Sequence, residues 1–108
     1  MKVYLSGGIT NAPNYKEIFA KAKRKLEAMN DDIRVVDPSC LHEGLTYKQY
    51  IDISLEMLKS CDAIFMLNGY EDSNGSRFEL AYARTVCLTI YYEEENEYRI
   101  GDRYGEKI

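Results

Sequence analysis

Two rhythms of apolar residues alternate along the chain. Lys2–Leu5 is a short apolar run with β-branched and aromatic residues, closed by Ser6-Gly7-Gly8, and predicts a first strand. Behind Pro13, a residue suited to a helix start, Tyr15, Ile18, Phe19, Ala22, Leu26 and Met29 recur at helical spacing. Lys16, Glu17, Lys21, Lys23, Arg24, Lys25 and Glu27 fall on the other side, a basic stripe read as a solvated face. Ile33–Val36 predicts a second strand, ended by Asp37-Pro38.

Thr46 with Gln49 three residues on predicts a capping box. The helix it opens carries Tyr47, Tyr50, Ile51, Ser54 or Leu55, and Leu58 on one face. Ala63–Leu67 is nearly continuously apolar, as in a strand covered on both faces. A turn-rich loop, Asn68–Gly75, leads to a third helix with Phe78, Ala81, Tyr82 and Thr85 on one face, and Val86–Tyr92 predicts a fourth strand. The tail from Glu93 to Ile108 is polar with scattered Tyr98, Ile100, Tyr104 and Ile108; an extra strand, a subunit contact and a frayed end all stay open for it.

Strands alternating with helices through short connections predict an α/β fold. The expected architecture is a small, doubly wound parallel sheet of four to five strands with helices on both faces. It is flavodoxin-like if the chain reverses after the first unit. The chain is one domain, 1–108, long enough to fold without metal or disulfide.

Charge narrows the partners. Eighteen Asp and Glu outnumber fourteen Lys and Arg, a formal net charge of −4, which argues against a nucleic-acid polymer. A single nucleotide stays possible because backbone amides hold one phosphate without net positive charge. No apolar run has the length of a membrane span, and MKVYLSGGIT lacks a signal-peptide core, so the expected location is cytoplasmic. Cys40, Cys61 and Cys87 are read as reduced, mostly buried thiols. Cys40 and His42 make at most half a metal site, so no metal is expected.

In doubly wound folds ligands bind beyond the carboxyl ends of the strands. Three connections gather there: Ser6-Gly7-Gly8-Ile9-Thr10-Asn11, the segment from Asp37 through Thr46 to the helix bearing Asp52, and Asn68–Gly75 leading to Glu79. The Gly-Gly turn matches neither the dinucleotide fingerprint nor the P-loop and no lysine follows it, which excludes nucleoside triphosphate hydrolysis. Asp52 and Glu79, on the opening turns of successive helices, form the kind of carboxylate pair that glycosyl chemistry uses. A bland alternative stands beside it: Ser76-x-x-Glu79 is itself a capping box, and Asp52 a solvated helical residue.

Tyr4-Leu5-Ser6-Gly7-Gly8-Ile9-Thr10, then Cys61-Asp62-Ala63-Ile64, then Ser73-Asn74-Gly75-Ser76-Arg77-Phe78-Glu79-Leu80-Ala81-Tyr82-Ala83 resembles the nucleoside 2-deoxyribosyltransferase superfamily. Its small phage-type members and its 2′-deoxynucleoside 5′-phosphate N-hydrolases are most similar. The resemblance implies that Glu79 is a nucleophile forming a covalent deoxyribosyl ester, with Asp52 handling protons or orienting the substrate and Tyr4 beside the nucleophile. It implies that Ser6, Gly7, Gly8, Ile9, Thr10, Asn11, Ser73 and Gly75 hold the 5′ end. Transferases of free nucleosides tend to have an aspartate where this chain has Ser73, and a serine accommodates a phosphate that a carboxylate would repel. Thr10 stands where the phosphate hydrolases tend to carry arginine, leaving Arg77 either to supply charge or to point to solvent, and Tyr70 replaces a tryptophan common in the phage-type members. Asp62 is read as structural, and Tyr47 and Tyr50 as packing residues before base-stacking ones.

The resulting expectation is an N-glycosidase acting on a (2′-deoxy)nucleoside 5′-monophosphate without cofactor, and a homo-oligomer. A base-exchanging transferase and a non-catalytic nucleotide-sequestering protein are the alternatives; an NAD-cleaving domain ranks below both.

Overall fold

The computed structural model describes residues 1–9, 13–41 and 44–93. Four strands, β1 (Lys2–Ser6), β2 (Arg34–Val36), β3 (Ala63–Met66) and β4 (Thr89–Tyr92), alternate with α1 (Tyr15–Met29), α2 (Tyr47–Lys59) and α3 (Asn74–Thr85). The strands are parallel in the order β2-β1-β3-β4, with Val3 beside Val35 on one side and Ala63 on the other. The expected doubly wound, flavodoxin-like α/β fold is therefore the observed one. The order reverses between β1 and β3, so their carboxyl ends flank the topological switch point.

Side chains alternate across the sheet because the strand period is two. Val3 and Leu5 of β1 join Phe19, Ala22 and Leu26 of α1 in one apolar layer. Tyr4 points the other way, into a layer with Leu58 of α2, Leu80 and Ala83 of α3, and Ile64 of β3. Ser6, two residues past Tyr4, shares its face, and that period places both under α3.

The predicted boundaries shift by one to three residues, each for a local reason. β1 runs on to Ser6, which pairs with Met66. α3 begins at Asn74, because Ser73 is its N-cap and accepts from the Ser76 amide. β4 begins at Thr89 rather than Val86, since Val86 is the helix cap and Cys87 turns the chain with a left-handed φ of 60°. The capping box at Thr46 and Gln49 forms as expected. Asp62 ties the sheet: its carboxylate accepts from the Lys2 amide at 2.9 Å and its amide donates to the Lys2 carbonyl at 2.9 Å.

Two burial expectations are corrected. On α3 the buried face is Ser76, Glu79, Leu80 and Ala83, while Phe78, Ala81 and Thr85 are exposed. Of the cysteines only Cys61 is buried, because it packs into the layer of Leu58 and Ile64; Cys40 and Cys87 join neither apolar layer and are exposed. Among the described residues no helix is long and apolar enough to cross a membrane. No group of three metal-ligating side chains forms among them, and His42 lies outside the described residues, as does the tail from 94.

Candidate active site

α3 carries Glu79 one turn inside its N-terminus, on the face that lies against β1 and β3. Glu79 is 5% exposed, an unusual place for an acid. Tyr4 Oη donates to Glu79 Oε2 at 2.6 Å and Ser6 Oγ donates to Oε1 at 2.7 Å, so each oxygen is held by a buried hydroxyl of β1. Ser54 of α2, fully buried, stands close to Glu79 and Tyr4, its own hydroxyl donating to the Ile51 carbonyl at 3.2 Å.

Burial pushes the Glu79 pKa above the ordinary carboxylate value, and the bonds from Tyr4 and Ser6 pull part of that back. Burial first, and then the Glu79 charge, push the Tyr4 phenol far above its usual range, so it remains a donor. The capping-box alternative for Glu79 is thereby removed. Ser73, not Ser76, caps α3, and the Glu79 oxygens are engaged with β1.

Glu79 faces a cavity of about 770 Å³ at the carboxyl edge of the sheet. Gly7, Gly8 and Ile9 form one wall, Ser73, Gly75 and Ser76 another, and Tyr47, Tyr50 and Ile51 of α2 a third. Gly7 is required by close packing: a Cβ there would stand 2.9 Å from Leu67 Cδ1. Gly8 lies against the α3 cap, where an added Cβ would meet Ser73 Cβ at 3.8 Å. The amides opening α3 thus border the cavity as an anion-favouring edge. Among the described residues no lysine or arginine lines the walls; Arg77 is exposed and points elsewhere.

Residues 1–92 match the family described as Domain of unknown function (DUF4406). The chain belongs to the DUF4406 family. No curated protein matches the sequence. Among solved structures, the DUF4406 chain is similar to a 2-desoxiribosyltransferase from Leishmania mexicana, with TM-score 0.67 and 20% identity over 99% of this chain and 73% of that one. A 2-deoxyribosyltransferase from the psychrotolerant bacterium Bacillus psychrosaccharolyticus is similar at TM-score 0.65 and 21% identity, over 95% of this chain and 82% of that one. The DUF4406 chain therefore shares the fold of these enzymes.

Of the expected site residues, the fold brings together Tyr4, Ser6, Gly7, Gly8, Ile9, Ser73, Gly75 and Glu79 in this DUF4406 chain. Thr10 and Asn11 lie outside the described residues. Asp52 is not brought in. Its side chain is 63% exposed and pairs with Lys48 Nζ at 2.9 Å, one helical turn away. The reason is angular: α2 turns Tyr50, Ile51 and Ser54 inward, and Asp52, ~100° past Ile51, points outward. Tyr47 is 60% exposed at the cavity wall, so it is not a packing residue, and Tyr70 packs on Tyr92 with ring centroids 5.9 Å apart. Ser54 and Ser76 were missed by sequence reasoning. The available signal was a serine at an inward helical position, where an aliphatic residue would otherwise sit.

Proposed function

We propose that the protein is an N-glycosidase that releases the base from a (2′-deoxy)nucleoside 5′-monophosphate through a covalent ester on Glu79. The observation that carries this reading is a buried carboxylate, both oxygens held by hydroxyls, at the floor of a cavity large enough for a nucleotide. One Glu79 oxygen attacks C1′ while the C1′–N bond breaks and its electron pair leaves with the base. Water then cleaves the ester, its hydroxyl going to C1′ and its proton balancing the base. Tyr4 and Ser6 orient the carboxylate and favour its charged form against the effect of burial.

The 5′-phosphate would lie at the opening of α3, on its amides and the Ser73 hydroxyl. With no cation on the described walls, recognition there rests on backbone and hydroxyl donors. The roomy cavity also supports a second reading, in which a free base enters and captures the ester, making the enzyme a deoxyribosyltransferase. Self-association belongs to the proposal, since Phe78 of α3 and Val86 at its C-cap are left 46% and 45% exposed; light scattering reads it directly.

The test is chromatography of nucleosides and 5′-monophosphates incubated with wild type and with Glu79→Ala, with and without added free base. Base release from a monophosphate by wild type alone is expected. Release only in the presence of a second base replaces hydrolysis by transfer. Binding without turnover of any substrate replaces both by sequestration.

A further inference from the structure

With Asp52 turned outward, Glu79 has no second carboxylate beside it from α2, and the question of what receives the departing base reopens. α2 offers another group. Tyr50 is half-buried, lines the same cavity as Glu79, and its hydroxyl makes no hydrogen bond among the described residues. It stands in electrostatic reach of Glu79 and of Tyr4, with Asp37, at the carboxyl end of β2, as its next charged neighbour. Asp37 already accepts from the Ser39 amide at 2.8 Å. Tyr47, one turn earlier on α2, continues the aromatic wall toward the cavity mouth.

We propose that Tyr50 is a catalytic residue that binds the departing base, its phenol donating a hydrogen bond to the ring atom that takes up the C1′–N electron pair. The proposal rests on the glycosidase reading above. A donor is needed at that point because the base carries negative charge as the bond breaks, and a carboxylate cannot donate. Tyr50 meets the requirement: burial, then the charges of Glu79 and Asp37, hold its proton well beyond the ordinary phenol range. It donates without giving the proton up, and the base is protonated by water after it leaves.

The experiment compares each substrate with an analogue of nearly the same shape and a better leaving base. The pairs are 2′-deoxyguanosine 5′-monophosphate with its 7-methyl derivative, and 2′-deoxyuridine 5′-monophosphate with its 5-fluoro derivative. Wild type, Tyr50→Phe and Glu79→Ala are assayed on both pairs, with melting temperatures measured to establish that each variant is folded. Tyr50→Phe is expected to lose about 100-fold in kcat on the poorer leaving group and less than about tenfold on the better one. Glu79→Ala loses both equally. Equal loss on both members for Tyr50→Phe, or no loss on either, overturns the role of Tyr50 while leaving the glycosidase standing. Failure of wild type on every member overturns the glycosidase reading, and the role of Tyr50 with it.

Discussion

The Tyr4 phenol and the Glu79 carboxylate, 75 residues apart in sequence, meet at 2.6 Å inside the protein. Neither is placed by its neighbours in the chain. β1 delivers the phenol, α3 the carboxylate, and the sheet order sets them face to face. A charged acid in such a place destabilises the native state unless it is well bonded, so the site contains its own measurable stability signature.

Glu79→Gln removes that buried charge while keeping the shape. The folded-state pKa of Glu79 is raised, so the native state holds the proton longer than the unfolded chain does. The penalty is therefore absent below the unfolded value of about 4.3 and grows as pH rises through the folded value. Glu79→Gln is expected to melt above wild type at neutral pH, with the difference shrinking toward zero in acid. Calorimetry across the pH range checks this; a difference independent of pH would contradict it.

Tyr4→Phe strips Glu79 Oε2 of its donor in a fully buried position, which costs about 1–3 kcal/mol of stability. That bond lowers the Glu79 pKa, so its loss raises it. The acid limb of the pH dependence of kcat/KM is expected to move to higher pH. Denaturant titration and a pH–rate profile read the two effects separately.

Gly7→Ala is expected to destabilise by about 1–3 kcal/mol, because its Cβ would stand 2.9 Å and 3.2 Å from Leu67 and 3.4 Å from Phe19 Cζ. Gly8→Ala, whose nearest new contact is 3.8 Å, serves as the comparison and is expected to melt close to wild type. Thermal melts of the pair distinguish packing from backbone effects.

Cys87→Gly relieves a left-handed backbone at an exposed turn remote from the cavity. Gains of about 0.5–1 kcal/mol are expected after the entropy of the glycine is deducted, with turnover unchanged. The denaturation midpoint reports it.

Asp52→Asn breaks an exposed pair with Lys48 and is expected to shift stability by no more than about 0.5 kcal/mol. Turnover should stay within about threefold of wild type, well short of the ~100-fold that loss of a catalytic acid or base brings. A loss of that larger size would return Asp52 to the site and is read by the same chromatographic assay.

The local layer of this protein was legible because short-range physics writes it. Turn residues after β1, the capping box at Thr46 and the apolar run of β3 each announce their element over a few residues, and the alternation of elements led to the doubly wound sheet. Glu79 was legible through the spacing Ser73-x-Gly75-x-x-x-Glu79 and the resemblance it carries. Misreadings cluster where the site is built. Hydrophobic periodicity put Phe78 and Ala81 inward on α3, yet the buried face there is partly polar, with Ser76 and Glu79 in it.

Sequence by itself thus determined the elements, their order and the nucleophile candidate, since these depend on residues close together in the chain. Only the tertiary structure decided which hydroxyls hold Glu79, that Asp52 faces solvent, and that Tyr50 faces the cavity. Those facts depend on the rotation of each helix about its own axis. That rotation is fixed by packing of α2 and α3 against β1 and β3 and by the need of a buried carboxylate for donors, interactions that no local pattern contains.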